Sequence, residues 1–220
     1  MPSIFAQWAS SSAPNSNSSP YHFHYLTTTP EQATRVYMNF VYNYYPLGSF
    51  DTRPLLFSNP SDTFAARLAL LNNIFETFPK RRFVLLGDIS NPDVMKDYPA
   101  LDSAFPGQVH CILLRNVTTT DSSDHIPYNL AGFEGVANNK YMFYNTPDDL
   151  NGLDFNNGDC VNASVQQYVG GNYGYGWRNL PGGSGLDLGK LLGNNAEKQM
   201  VIHWRAMWVI VHVVVGLLLW

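Results

Sequence analysis

The chain has 220 residues, 45% apolar and 14% aromatic, enough for one medium domain with a real core. Its formal net charge is −4, which excludes a global basic field of the kind that holds nucleic acid, so any contact with an anionic lipid must be local. The two cysteines, Cys111 and Cys160, lie far apart, and CxxC metal spacing is absent.

Residues 1–20 begin with a short amphipathic piece, Ile4 to Trp8, followed by a flexible Ser/Asn/Pro-rich run. No basic-then-apolar secretory pattern opens the chain, so an intracellular protein is expected and the sequons at Asn17, Asn116 and Asn162 read as chance matches. The regular part spans 21–168. Phe23 to Leu26 is a short strand running into Thr27-Thr28-Thr29-Pro30. Thr29 is expected to cap a helix, with Pro30 at its first position and Gln32 completing a capping box. That helix carries Ala33, Val36, Tyr37, Phe40, Val41 and Tyr44 on one apolar face. A loop with Pro46, Gly48 and Pro54 follows. A second helix buries Phe64, Leu68, Leu71, Phe75 and Phe78, and Pro79 stops it.

Next come a strand at 83–86, a helix near 93–104, a strand at 109–114, a long polar loop and a strand at 141–144. Cys111 falls inside the 109–114 strand and reads as a buried core thiol, while Cys160 sits in a polar loop; a disulfide between them is possible but has no support in the spacing. Thr146-Pro147-Asp148-Asp149 opens a last short helix. Such alternation predicts a Rossmann-like α/β fold, a parallel sheet covered by helices. From about 169 to 205 the chain is a Gly/Asn-rich linker, and 206–220 is an apolar tail interrupted by His212. At fifteen residues the tail is shorter than the roughly 20 that a spanning helix needs. It is open to reading as a marginal tail anchor, an amphipathic membrane contact, the end of a lipid-anchor signal or a non-functional extension.

A parallel sheet gathers its strand tips along one edge, where α/β folds bind ligands. Thr27, Asp88 and Arg115 each follow a predicted strand, so the edge would carry a hydroxyl, an acid and a cation, a set that suits a phosphoryl group. Asp93, five residues beyond Asp88, could share one hard cation such as Mg²⁺ with it. Arg67, on the second helix, could add positive charge. Each residue also has a plain structural role: Thr27 satisfying backbone, Arg67 at the surface, Asp88 in a solvated loop, Asp93 as an N-cap, Arg115 capping a strand.

Four segments, HYLTTTPEQ (24–32), FPKRRFVLLGDISNPDVMKDYPAL (78–101), FPGQVHCILLRN (105–116) and YMFYNTPDDL (141–150), resemble the fungal actin-patch phosphatidate phosphatases, whose catalytic domain has haloacid-dehalogenase-type chemistry. The resemblance covers about residues 1–165 in order and spacing. It implies Mg²⁺-dependent hydrolysis of phosphatidate to diacylglycerol and phosphate through an aspartyl-phosphate, with a second Asp as acid and base. It places Thr27 in the second motif, hydrogen-bonding the phosphoryl group, and Arg67 in the third, with Lys80 as fallback. Asp88 and Asp93 fall in the fourth, Asp88 as the direct Mg²⁺ ligand. Its implied partners are phosphatidate or a related phospholipid at a membrane surface and cortical actin-patch proteins, in a cytoplasmic or peripheral-membrane setting.

The family's first motif, an apolar strand ending in Asp-x-Asp, has no counterpart, since the first Asp of the chain is Asp51 in a loop. Without it no covalent intermediate forms, and the sheet is expected to lack its central strand. The chain therefore reads as an N-terminally incomplete member of the family. Two functions follow: a lipid phosphatase whose activity this chain alone does not carry, or a binding module that keeps Mg²⁺ or phosphate affinity without turnover.

Overall fold

The computed structural model describes residues 1–11, 21–53, 60–90, 92–117, 130–165, 167 and the backbone of 212–217. Six strands form one sheet: β1 (Tyr21–Pro30), β2 (Gly48–Arg53), β3 (Arg82–Asp88), β4 (Val109–Arg115), β5 (Tyr141–Tyr144) and β6 (His212–Leu217). Their order is β2-β1-β6-β3-β4-β5. The pairs β1–β2, β3–β4 and β4–β5 are parallel, and β6 runs antiparallel to both its neighbours. Among the described residues, four α-helices accompany the sheet: α1 (Pro2–Ser11), α2 (Arg35–Tyr44), α3 (Pro60–Thr77) and α4 (Pro92–Ala104). The architecture is the Rossmann-like α/β fold that the alternation of elements predicts.

The inner strands alternate between two buried clusters, as strands covered on both faces must. In β3, Val84 and Leu86 point into the cluster with Ile4, Phe5 and Trp8 of α1, whereas Phe83 and Leu85 meet Leu71 and Phe75 of α3 and Val94 and Tyr98 of α4. Cys111 and Leu113 of β4 face the α1 side, and Ile112 and Leu114 the other. The amphipathic piece at the start of the chain is thus a core helix: Trp8 meets Phe155 at 5.0 Å between ring centroids, and Phe5 meets Phe23 at 5.8 Å. The Ser/Asn/Pro run after it, like the 169–205 linker and the side chain of Phe64, lies outside the described residues.

The sheet is not left open at its centre. Residues 212–217, inside the apolar tail, fill the place between β1 and β3, pairing Tyr21–Leu26 on one side and Arg82–Leu86 on the other. None of the roles read for that tail was a strand of the sheet. The three consecutive valines of this segment (His-Val-Val-Val-Gly-Leu) suit a doubly flanked central position. Among the described residues, no helix is long and apolar enough to cross a membrane.

Three further expectations are corrected. The strand that begins near Phe23 continues through Thr29 to Pro30, so Thr29 caps nothing; a 3-10 turn at Glu31–Ala33 intervenes, and α2 starts after Thr34, whose hydroxyl bonds the Glu31 carbonyl. The loop around Gly48 contains β2, an edge strand that is half-buried at every position and so lacks the alternation that marks a strand. Gly48 is required there, because a Cβ at that position would run into the Phe23 carbonyl. Cys111 is not a free thiol: it is bonded to Cys160, with Cα atoms 5.3 Å apart, and so ties the loop that carries Phe155 to β4.

Candidate functional site

The C-terminal tips of β1, β3 and β4 form one edge of the sheet. Asp88 ends β3 and Arg115 ends β4, and the two are register partners. The Ile89 N–H donates to the Arg115 carbonyl at 3.0 Å, which fixes the loop after Asp88 to the neighbouring tip. That loop turns back at once. One Asp88 carboxylate oxygen accepts the Ser90 N–H at 2.9 Å and also the Ser90 hydroxyl. Burial raises the Asp88 carboxyl above its usual range, and the Ser90 bonds, Arg115 and Arg67 oppose the rise.

Arg67 belongs to the middle of α3 and is 2% exposed, so the surface alternative does not hold. Its Nη1 lies 4.0 Å from Asp93 Oδ2, on the first turn of α4. That distance gives Coulomb attraction but no hydrogen bond, and both Nε and Nη1 are buried without an acceptor. The Nε of Arg115 is buried in the same condition. Buried guanidinium donors without partners are uncommon in folded proteins; two of them stand beside one carboxylate here, and Arg82 Nε, at the other end of β3, is a third. Lys80 is exposed in the turn before β3, at the opposite end of that strand from Asp88, and has no part in the cluster.

Thr27 does not follow the first strand as expected but is buried within β1, three residues before its end, where the ladder with β2 shifts register. Its hydroxyl is used locally, donating to Thr29 Oγ1 at 3.1 Å and accepting the Thr29 N–H at 3.2 Å. Between Thr27 and Asp88 lies the first residue of β6, since His212 pairs Leu26 and Val213 pairs Leu86. The structure thus brings Asp88, Arg115, Arg67 and Asp93 together and sets Thr27 two strands away on the same edge.

Asp97 is a neighbour that sequence reasoning passed over. It follows Asp93 by one turn of α4, an i,i+4 spacing that was the available signal, and it is 5% exposed. Burial, then Asp93, push its carboxyl up to about 6, against the pull of Arg67 and Lys96. Below about pH 4 the group is protonated in both the folded and unfolded chain. As the pH rises to 6 the unfolded chain gives up this proton first, so stability falls across that window. Asp97→Asn is expected to flatten the fall and to raise stability at pH 7 by about 1–3 kcal/mol. Urea unfolding at pH 4.5 and pH 7.5 checks it; equal curves for both chains would remove Asp97 from the electrostatics of the site.

Hard oxygen donors from Asp88 and Asp93 match the chemistry of Mg²⁺, which takes one or two carboxylates and completes its shell with water and phosphate. The desolvated Asp88 carboxyl, with one oxygen engaged by Ser90, fits such a cation, whose charge would offset the effect of burial. Among the described residues, the group of three ligating side chains that gathers within 4.8 Å is His110, Cys111 and Cys160. Its two sulfurs are bonded to each other, so it is a staple and not a metal centre. Ser49, His24 and Asp51 also adjoin, across β1 and β2. The same His24 nitrogen, Nδ1, meets both Ser49 Oγ at 2.5 Å and Asp51 at 4.0 Å, so no relay runs through the ring. Burial lowers His24 to about 4, so the ring is neutral and its approach to Asp51 is not an ion pair.

The family model for the catalytic domain of phosphatidate phosphatase APP1 matches residues 1–116, more than half of the chain. The chain belongs to this family. The matched stretch contains Thr27, Arg67, Asp88, Asp93 and Arg115, and ends before the 141–150 segment. No curated protein and no solved structure matches the chain. The phosphatidate phosphatase assignment thus rests on the family model, in whose span every residue of the strand-tip cluster falls.

Proposed function

We propose that the strand-tip site is the phosphoryl-binding site of an Mg²⁺-dependent phosphatidate phosphatase, acting on the phosphomonoester of phosphatidate to give diacylglycerol and inorganic phosphate. The observation that carries this reading is Arg67, buried with two donors unpaired, beside Asp88 and Asp93 in a stretch that the family model covers. Arg67 and Arg115, both acting on Asp88, meet phosphoryl oxygens and hold the group by charge. Asp88 and Asp93 would hold Mg²⁺, which when bound disperses charge on the phosphoryl and leaving oxygens. Thr27 donates its hydroxyl to the phosphoryl group once it releases Thr29. By resemblance to the actin-patch phosphatases, the setting is cytoplasmic, at a membrane surface or a cortical actin patch.

A second reading applies to this chain taken alone: it holds the phosphoryl group without cleaving it. The strand between β1 and β3 reads His-Val-Val-Val-Gly-Leu and supplies no carboxylate as a nucleophile. The test for the site itself is calorimetric titration of inorganic phosphate with and without Mg²⁺. Binding is expected to require Mg²⁺ and to weaken at least tenfold in Asp88→Asn, a loss of about 1.4 kcal/mol or more. Equal affinity in the two proteins would overturn the assignment of Asp88.

A further inference from the structure

We propose that the outer face of α2 is a membrane-contacting surface that seats the chain on a lipid bilayer beside the strand-tip site; this rests on the reading of that site as one for a lipid phosphomonoester. The sequence puts Val36, Tyr37, Phe40, Val41 and Tyr44 on a single apolar face, which a helix on a sheet ordinarily buries. The structure divides that face. Tyr37 and Val41 are buried, whereas Val36, Phe40 and Tyr44, at i, i+4 and i+8, run along the outside. Leu47, just beyond the helix, continues their line, while Tyr42 is exposed on another side of α2, towards Phe50; all five are between 41% and 81% exposed.

Among the described residues these five are all the exposed large hydrophobics, gathered in twelve consecutive positions. Scattered apolar residues on a surface need no explanation, but a continuous stripe does. The composition points to a bilayer. Between Glu31 and Asp51 there is no carboxylate, in a chain whose net charge is −4, and Arg35 stands at the helix start. An acid-free stripe headed by a guanidinium complements an anionic surface. Phe40 and Tyr44 have ring centroids 5.1 Å apart; Tyr44 is the kind of side chain that settles at the headgroup level, with its ring in the bilayer and its phenol group in water, and Phe40 adds apolar surface beside it.

Position ties the face to the site. α2 is the crossover helix that follows β1, and Val36 lies in its first turn, nine residues beyond Thr27 near the end of β1. The Val36 end of the stripe therefore lies towards the edge that carries Asp88 and Arg115, and the Leu47 end, just before β2, towards the opposite edge. A second copy of the chain is a poorer occupant: a stripe of four side chains falls well short of the roughly 20–30 residues a side that a stable interface uses.

The test is flotation of the chain with phosphatidylcholine vesicles made with and without phosphatidate, beside the double variant Phe40→Asp, Tyr44→Asp. Both positions are exposed, so an unchanged melting temperature is expected and is checked first. The chain should float with phosphatidate vesicles, the variant should lose at least tenfold in bound fraction, and the two should bind inorganic phosphate equally by calorimetry. Equal flotation of variant and parent, or no flotation of the parent, overturns the proposal. So does flotation lost in Asp88→Asn but retained in the α2 variant, which would mean that headgroup capture alone holds the lipid. A parent that sediments as a dimer and a variant that sediments as a monomer would give the face to a second copy. Flotation without phosphate binding would leave the face standing and remove the phosphoryl reading of the site.

Discussion

A chain that ends before His212 is expected to lose its cooperative unfolding transition and to aggregate, although it keeps every residue that the family model matches. β6 is the middle strand of the sheet, flanked by β1 and β3, and both partners are deeply buried: Phe23, Tyr25, Leu26, Phe83, Val84 and Leu85 are all part of the core. Removing β6 strips the inner edges of two buried strands at once. The register pairs six residues with β1 and five with β3. At roughly one ladder bond per pair and ~1 kcal/mol net per bond, the loss is about 10 kcal/mol, comparable to the whole stability of a domain. Water cannot repair it, because a buried unpaired N–H or C=O bears its full desolvation cost. A milder variant, Val214→Pro, leaves the length intact and breaks the ladder where Val214 faces His24 and Leu85; it should lower stability by about 3 kcal/mol or more. Circular dichroism melts of the three chains measure this, and unchanged melting after the deletion would show that β6 does not support the sheet.

Arg67→Met is expected to weaken phosphate binding by about 30- to 150-fold, the equivalent of one charge-assisted contact of about 2–3 kcal/mol. The same substitution should make the free protein more stable. Arg67 is buried, two of its nitrogens have no acceptor, and the carboxylate facing it is 4.0 Å away, too far to satisfy them. Its burial is therefore poorly compensated by hydrogen bonds, and an apolar side chain of similar volume removes the cost of the two bare donors, while Asp88 and Asp97 lose the pull of its charge, so the net gain is about 1 kcal/mol. Asp93 is 37% exposed, so solvent already screens its charge. A structural arginine would show the opposite: unfolding at lower denaturant with phosphate affinity unchanged. Affinity and stability moving in opposite directions is the mark of a group held for a ligand.

The sequence makes most of the sheet legible, for reasons that lie in particular residues. Tyr141–Tyr144 is read as a strand with its true limits, and the capping box at Thr146 and Asp149 forms, because turn and cap chemistry is local. The β3 and β4 runs are apolar enough to place Asp88 and Arg115 at their tips, and the two stand opposite each other as register partners. β2 escapes detection because an edge strand with six half-buried residues has no period to read. β6 escapes it for a different reason: that a distant apolar run belongs between β1 and β3 is a tertiary fact, invisible in the run itself. The outward turn of Val36, Phe40 and Tyr44 is equally tertiary, since the helix pattern says which residues share a face but not how much of that face the sheet covers. Of the site, the residue types at the strand tips are legible, whereas the isolation of the Arg67 and Arg115 donors, the local engagement of Thr27 and the buried Asp97 depend on distances no spacing conveys.

The most direct measurement is the ³¹P spectrum of soluble short-chain phosphatidate mixed with the 220-residue chain and Mg²⁺. The proposed phosphoryl site, with no carboxylate on β6 to attack the phosphomonoester, predicts a phosphatidate signal that shifts or broadens with added protein, only when Mg²⁺ is present, and no growing signal of inorganic phosphate. An unshifted phosphatidate signal would contradict the phosphoryl site. A growing inorganic phosphate signal that Asp88→Ala abolishes would contradict the absence of a nucleophile and make this chain a working phosphatase.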